Sequence, residues 1–148
     1  NGRAFYLIKF RTMKNLAFRE ERDEARLTSI GEFLRSWSLD ELPSLLNILK
    51  GEMSFVGPRP LPLEYVGLYR CLEKNRLTVP AGLTGLAQIK GRNQINWRKR
   101  FAYDYLYVKN RAFCFDLYIL VSTVSVVLTR SGVLKSGFTE HLGRRDDL

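Results

Sequence analysis

Two adjacent carboxylates, Asp40 and Glu41, lie where a leucine-rich segment of the chain begins. A carboxylate pair can act as a nucleophile, as a general base, or as a ligand for a hard cation such as Mg²⁺. The ordinary pKa of an aspartate is about 3.9, so Asp40 is expected to be ionised at neutral pH. Acidic residues are also common in the first turn of a helix, where they interact with unpaired amide groups. Taken alone, the pair therefore favours a structural cap over a catalytic role.

A single arginine between two prolines is the second candidate for chemistry. Pro58 and Pro60 restrict the backbone φ angle on both sides of Arg59, so a stiff segment presents its guanidinium group. A guanidinium group binds a phosphate through two parallel hydrogen bonds. A plain turn with an exposed arginine explains the same residues equally well.

Two weaker candidates involve phosphate binding. Lys9 and Arg11 lie on the same side of a predicted strand, Phe5 to Met13, where a solvated strand face is the more common explanation. The passage from Gly82 to Gly85 can bring backbone amides close to a phosphate, although glycines also mark ordinary turns.

The leucine pattern predicts a helix directly at the carboxylate pair. Ser38 and Glu41 match a capping box, but Pro43 would remove an amide donor from that helix. The alternative is that Pro43 is the first helical position and the pair lies just before it. Both alternatives place the acids at the positive end of the helix, which ends at Lys50 and Gly51. The leucines of its apolar face are Leu39, Leu42, Leu45, Leu46 and Leu49.

The remaining pattern predicts a small α+β domain with more helix than strand. A helix capped by Thr28 or Ser29 leads to the pair, and an amphipathic helix runs from Trp97 to Val108. The apolar stretch from Ala112 to Leu128 contains Asp116, and a buried helix is favoured over one at a membrane interface. The other predicted elements are helical turns between Pro62 and Asn75 and a short strand from Leu86 to Ile89.

Length and charge restrict the class of protein. The 148 residues, 45% of them apolar, suit one domain spanning residues 1–148. A net charge of +9 from 24 basic and 15 acidic residues indicates an anionic partner, either nucleic acid, an anionic membrane or a phosphorylated substrate. Cys71 and Cys114 lack metal-ligand spacing and are expected to be reduced thiols, and His141 in a polar tail offers no catalytic partnership.

Taken together, the motifs resemble the bacterial sugar transferases known as monotopic phosphoglycosyl transferases. The resemblance extends over nearly the whole chain, and the motifs occur in the same order. They are Lys9 to Met13, Ser38 to Pro43, Asn47 to Ser54, Val56 to Pro60, Gly82 to Gln88, and Gly91 to Asn93.

This resemblance implies an enzyme that moves a phosphosugar from a UDP-sugar to a polyprenyl phosphate such as undecaprenyl phosphate. UMP would be released, and the lipid-diphosphate sugar would initiate a bacterial glycan. The implied cofactor is Mg²⁺, and the implied location is the cytoplasmic face of the bacterial inner membrane, reached through amphipathic membrane-facing helices. Nucleic acid is not an expected partner, and a homo-oligomer is left open.

The resemblance also implies a role for each candidate residue. Asp40 would be the nucleophile that forms a covalent phosphosugar intermediate, and it would also contact Mg²⁺. Glu41 would accept a proton in the second half-reaction or organise the metal site. The element Pro58, Arg59 and Pro60 would bind the nucleotide or its phosphates. Weaker candidates for phosphate contact are Lys9, Arg11 and Arg35, and the roles of Asp104 and Asp116 stay open between a helix cap and a surface pair.

One departure from the family concerns the start of the chain. Family members begin with a hydrophobic segment that enters the membrane and turns back, whereas this chain begins at Asn1-Gly2. The sequence is therefore expected to be a fragment that lacks the N-terminal membrane anchor. The alternative function is a basic module that binds a membrane surface or nucleic acid without catalysis.

Overall fold

A computed structural model of the chain describes residues 2–14, 26–91 and 95–129. His141 and the motif residues Arg92 and Asn93 lie outside this part. Within it the α-helices are α1 (Ser29–Ser36), α2 (Leu45–Leu49), α3 (Leu86–Gly91), α4 (Trp97–Asn110) and α5 (Phe113–Leu128). Three 3₁₀ helices cover Leu39–Ser44, Leu63–Leu68 and Glu73–Thr78, and the strands are β1 (Ser54–Val56) and β2 (Gly82–Thr84). The prediction of a helix-rich α+β domain is confirmed.

The two strands pair in parallel and hold the start of the Pro-Arg-Pro segment, which consists of Pro58, Arg59 and Pro60. Ser54 lies opposite Gly82, and Val56 lies opposite Thr84. Beyond β1, the Gly57 amide donates to the Thr84 carbonyl at 2.9 Å, and the Gly82 amide donates to the Pro58 carbonyl at 3.0 Å. The sheet therefore determines the direction in which the chain enters the Pro-Arg-Pro segment.

Two apolar clusters form the core. The first contains Val56, Leu86, Tyr107 and Ile119, and joins β1 to α3, α4 and α5. The second is aromatic and contains Tyr69 and Phe101, whose rings meet edge to face at 5.6 Å. Because Phe101 lies on α4 and Tyr69 lies between two 3₁₀ helices, this cluster packs α4 beneath the chain that follows Pro60.

The predicted strand from Phe5 to Met13 is wrong. The described part of this segment has a single isolated bridge, between Met13 and Leu27. Its backbone is instead bound by buried side chains, because Asn47 Oδ1 accepts from the Ile8 amide at 3.0 Å and Asn47 Nδ2 donates to the Tyr6 carbonyl at 2.8 Å. Side-chain hydrogen bonds thus take the place of a neighbouring strand.

The predicted strand from Leu86 to Ile89 is also wrong, because these residues begin α3. The amides of Gln88 and Ile89 both donate to the Gly85 carbonyl, which starts the helical pattern. Leu86 and Ala87 are both buried, and adjacent residues in a strand would point to opposite faces. The turn-rich passage before them is the place where β2 forms.

The leucine-rich helix is divided into a 3₁₀ helix and the short α2. Ser38 has a left-handed backbone with φ of 56° and makes no side-chain cap, so the predicted capping box is wrong. Pro43 lies inside the 3₁₀ helix, so the alternative that made it the first helical position is wrong too. A continuous α-helix from Leu39 would need an amide donor at Pro43, which proline lacks. Asp40 and Glu41 consequently lie in the first turn of the 3₁₀ helix.

The other helical predictions have mixed outcomes. Helix α1 begins at a Thr28 cap, whose hydroxyl accepts from the Gly31 amide at 2.9 Å, and α4 is confirmed. The helical spacing after Pro62 is realised as two 3₁₀ helices rather than one α-helix.

Helix α5 is not the buried helix that was favoured. Ile119 is its buried residue, and most of its other apolar side chains are exposed. No helix among the described residues is both long enough and apolar enough to cross a membrane. The exposed apolar residues of α5 are Phe113, Leu117, Tyr118, Leu120, Val121, Val124 and Leu128.

Gly82→Ala is expected to lower the free energy of unfolding by at least about 3 kcal/mol, the upper end for overpacking. A Cβ atom at Gly82 would lie 2.1 Å from the Gly57 nitrogen, so the two strands would have to separate. Urea denaturation of the wild type and of Gly82→Ala measures this change in the free energy of unfolding. Gly67→Ala is the control, because a Cβ there meets no atom within 4 Å. Equal stability of the two variants would contradict the prediction.

Candidate active site

The structure brings the carboxylate pair and the Pro-Arg-Pro segment together. The Arg59 guanidinium group donates from Nη2 to Glu41 Oε1 and forms an ion pair with that carboxylate. The Glu41 side chain is 21% exposed and that of Arg59 is 44% exposed, so the pair is open to solvent on one side. Apolar walls beside it come from Leu7, Met53, Pro60 and Leu83. The result is a shallow cleft that presents both charges to a ligand.

Asp40 is half-buried beside this ion pair. Burial and the neighbouring Glu41 charge raise the pKa of Asp40 above its usual range, whereas Arg35 and Arg59 lower it. Ionisation of Asp40 is therefore less favourable in the folded protein than the ordinary pKa of an aspartate indicates. Arginines on two separate segments provide the opposing attraction that favours the charged form.

Of the three weaker basic candidates, the structure brings Arg35 to the carboxylate pair. Arg35 is held by a hydrogen bond from its Nε to the buried Thr12 hydroxyl at 2.9 Å, and its charge reaches Asp40. The Phe10 amide donates to the Asp40 carbonyl at 3.0 Å. Lys9 and Arg11 are exposed and lie on either side of Phe10 in the chain.

The passage from Gly82 to Gly85 was predicted to bring backbone amides close to a phosphate, but the Gly82 amide is not available for this. This amide donates to the Pro58 carbonyl, so it is already used within the fold. A Cβ atom at Gly85 would lie 2.2 Å from the Gly57 carbonyl oxygen. Gly57, Gly82 and Gly85 thus allow close backbone approach beneath Arg59.

Sequence reasoning missed Arg76, a buried residue behind Arg59. Its Nη2 donates to the Arg59 carbonyl, and its Nη1 donates to the Tyr69 hydroxyl at 3.0 Å. The same Nη2 lies 3.3 Å from Asp104 Oδ2. The guanidinium carbon lies 5.5 Å and 5.4 Å from the ring centroids of Tyr69 and Phe101. The available signal was Asp104 itself, because an acid three residues after Phe101 on an apolar helix face requires a buried partner.

Asp104 is therefore neither a helix cap nor a surface residue. Burial raises its pKa to about 6, although Arg76 and then Arg100 act in the opposite direction. Because the folded-state pKa exceeds the unfolded value of 3.8, the stabilising effect of protonation is full below about pH 4 and is lost as the pH rises through 6.

Asp104→Asn tests this dependence on pH. The difference in unfolding free energy, wild type minus variant, is expected to fall by about 3 kcal/mol between pH 3.5 and 7, since one pKa unit corresponds to about 1.4 kcal/mol. The groups that face Asp104 are the Arg76 and Arg100 guanidinium groups and the Tyr69 hydroxyl, and burial raises the pKa of Tyr69 above its ordinary value. Urea denaturation at several pH values measures the difference. A difference that stays constant or rises with pH would contradict the prediction.

Asp116 connects α5 to the centre of the domain. Its Oδ1 accepts from the Tyr107 hydroxyl at 2.8 Å, and that hydroxyl also lies 3.2 Å from the Val56 carbonyl. Burial and the Asp116 carboxylate raise the pKa of Tyr107. The Tyr107 hydroxyl thus joins α4 both to Asp116 on α5 and to the end of β1.

The donor atoms at the cleft suit a hard cation. The described residues contain no group of three or more His, Cys, Asp or Glu side chains that could enclose a metal ion. Magnesium in phosphate-transfer sites is commonly held by one or two carboxylates together with the substrate phosphates. Asp40 and Glu41 are such a pair. Burial and then the Glu41 charge raise the pKa of Asp40, and a cation beside the pair would favour its charged form.

Comparison with known proteins identifies the family of this chain. The family model described as bacterial sugar transferase matches residues 1–130. An uncharacterised sugar transferase of Bacillus subtilis, EpsL, is 48% identical over 141 residues, which cover 90% of this chain and 67% of that protein.

Two further relatives have names that state a reaction. The undecaprenyl-phosphate galactose phosphotransferase of Salmonella typhimurium is 43% identical over 111 residues, covering 75% of this chain and 23% of that protein. The UDP-glucose:undecaprenyl-phosphate glucose-1-phosphate transferase of Klebsiella pneumoniae is 38% identical over 142 residues, covering 84% and 30%. The chain thus spans about two thirds of the Bacillus protein and less than a third of these two enzymes. The match over residues 1–130 establishes that the chain belongs to the bacterial sugar transferase family.

Proposed function

We propose that this protein is a phosphoglycosyl transferase that moves a sugar phosphate from a UDP-sugar to a polyprenyl phosphate such as undecaprenyl phosphate, with release of UMP. The main supporting observation is the ion pair between Arg59 and Glu41, which places a guanidinium group beside the Asp40 carboxylate. Relatives named for transfer to undecaprenyl phosphate support the same class of acceptor.

In the first proposed step, an Asp40 oxygen attacks the phosphorus that bears the sugar. A bond forms between that oxygen and the phosphorus, and the bond from the phosphorus to the bridging oxygen of the diphosphate breaks. UMP leaves with the bridging oxygen, and the sugar phosphate stays on Asp40. Arg59 and Arg35 offset the negative charge that the incoming diphosphate adds to the carboxylate pair.

In the second proposed step, a phosphate oxygen of the polyprenyl phosphate attacks the same phosphorus. The bond between Asp40 and the phosphorus breaks, which restores the carboxylate and yields the lipid-diphosphate sugar. Glu41 either accepts a proton from a singly ionised acceptor phosphate or orients a cation beside Asp40. The ion pair with Arg59 keeps the Glu41 carboxylate at the edge of the cleft.

Mg²⁺ is the proposed cofactor, held by Asp40 with Glu41 beside it. When bound, it would offset the charge on the substrate phosphates. The arginines then orient the diphosphate, while Asp40 supplies the attacking oxygen.

The lipid acceptor requires access from a membrane, and we assign the protein to the cytoplasmic face of the bacterial inner membrane. The exposed apolar face of α5 supports this location. A second exposed apolar group directly follows the carboxylate pair and lies in its 3₁₀ helix and in α2. Its members are Leu42, Leu45, Leu46 and Leu49.

Product analysis of the full-length protein in detergent tests the proposal. With undecaprenyl phosphate, Mg²⁺ and a panel of UDP-sugars, one sugar is expected to give UMP and lipid-diphosphate sugar in equal amounts. EDTA is expected to stop the reaction. Without the lipid, a radiolabelled sugar phosphate should remain attached to the protein. Release of UDP, or of no nucleotide from any UDP-sugar, would overturn the proposal, and a binding module without catalysis predicts the latter result.

A further inference from the structure

We propose that Arg76 is a positioning residue that holds Arg59 against the carboxylate pair, and that Asp104 holds Arg76 in turn. The proposed link runs from α4 through two buried side chains to the Arg59 backbone. Its consequence for catalysis rests on the proposed function, whereas its consequence for the position of Arg59 does not.

Arg76 contacts three groups from one planar guanidinium. It donates to the Arg59 carbonyl and the Tyr69 hydroxyl, and lies 3.3 Å from the Asp104 carboxylate. The Arg76 and Asp104 side chains are 3% and 5% exposed. The rings of Tyr69 and Phe101 limit the movement of this guanidinium. A lysine at this position would keep the charge, but it lacks the fixed fork that reaches several partners.

The Pro-Arg-Pro segment needs an anchor of this kind. Pro58 and Pro60 have no amide hydrogen, so their backbone attachments must be made through carbonyl groups. The Gly82 amide binds the Pro58 carbonyl, and Arg76 binds the next carbonyl, that of Arg59. Gly82 and Arg76, from two different segments of the chain, thus hold two adjacent carbonyl groups. The backbone from which the Arg59 side chain extends is therefore fixed.

Stability alone explains this buried pair poorly. A buried ion pair often contributes no more to stability than apolar residues of similar volume. Within the described part of the chain, Arg76 Nε also lacks a hydrogen-bond partner. Of the two nitrogens that donate, Nη1 bonds to the Tyr69 hydroxyl, and Nη2 bonds to the carbonyl of Arg59, the residue that contacts the carboxylate pair. Positioning of Arg59 is the property that an apolar replacement would lose.

A double-mutant cycle in the full-length protein tests the link. Arg76→Lys is expected to lower kcat/KM for UMP release by about 10- to 100-fold in the wild-type background. In an Arg59→Ala background the same substitution is expected to lower it by less than about 3-fold, because the residue through which it acts is gone. Equal effects in both backgrounds would overturn the proposal. Ile119→Val, in the other core cluster, controls for a general loss of stability and should leave kcat/KM unchanged.

A spectroscopic measurement decides the proposal without turnover. The side-chain Nε–H resonance of Arg59, assigned by its loss in Arg59→Lys, is expected to move in Glu41→Gln. In Arg76→Lys it should move in the same direction. An unchanged resonance in folded Arg76→Lys would overturn the positioning role. If Arg76→Lys does not fold, Asp104→Asn replaces it in both experiments with the same expected direction. Absence of UMP release by the wild type would refute the proposed function and leave this measurement decisive.

Discussion

Replacing Asp40 by asparagine is expected to lower the rate of UMP release by at least about 10³-fold and to abolish the covalent phosphosugar intermediate. Asparagine has nearly the same size as aspartate but lacks a carboxylate oxygen that can attack phosphorus. The substitution also removes the half-buried charge that burial and Glu41 disfavour, so stability is expected to be unchanged or higher.

Two measurements check the Asp40 prediction. Rapid-quench analysis with a labelled UDP-sugar follows the intermediate, and thermal denaturation follows stability. Glu64→Gln is the control, because Glu64 is an exposed acid in the first turn of another 3₁₀ helix. Normal turnover by Asp40→Asn would reject Asp40 as the nucleophile, and a large loss in Glu64→Gln would indicate a non-specific effect of charge.

Arg59→Lys is expected to lower kcat/KM by about 10²-fold, the scale of losing one preorganised donor. Lysine keeps a positive charge but cannot form the planar two-donor contact with a phosphate or carboxylate. Its flexible side chain would also gain less from the two prolines that stiffen the arginine backbone.

Steady-state kinetics with the identified UDP-sugar measure the effect of Arg59→Lys. Arg70→Lys is the matched control, because Arg70 is exposed and its backbone amide, rather than its guanidinium, bonds to Glu73. An unchanged kcat/KM in Arg59→Lys would show that only the charge of Arg59 matters. A similar loss in both variants would contradict a specific role for Arg59.

The proximity of the two main motifs could not be derived from spacing alone. Glu41 and Arg59 are 18 residues apart, and their contact depends on how the parallel strands direct the chain into Pro58. The resemblance to a family placed both motifs in one site. The structure gives the physical reason, which is the close approach of backbone at Gly57 and Gly82.

The two incorrect strand predictions have different causes. Alternation from Phe5 to Met13 resembled a strand, but its hydrogen-bond partners are side chains distant in sequence, such as Asn47, which bonds to Tyr6 across 41 residues. Residues Leu86 to Ile89 form too short an apolar run for periodicity to separate a strand from a helix. In the first case tertiary contacts overrode a local pattern, and in the second the local pattern was too short to choose between a strand and a helix.

The sequence by itself determined the α+β class, helices α1 and α4, the family, and the residues of the carboxylate pair and Pro-Arg-Pro segment. These features depend on local periodicity and on residue types in a fixed order. Only the tertiary structure decided how the pair meets Arg59 and which buried side chains, Arg76 and Asp104, lie behind it. The physical reason is that a buried charge takes its partner from whichever segment the core places beside it, and that choice leaves no periodic signal in the chain.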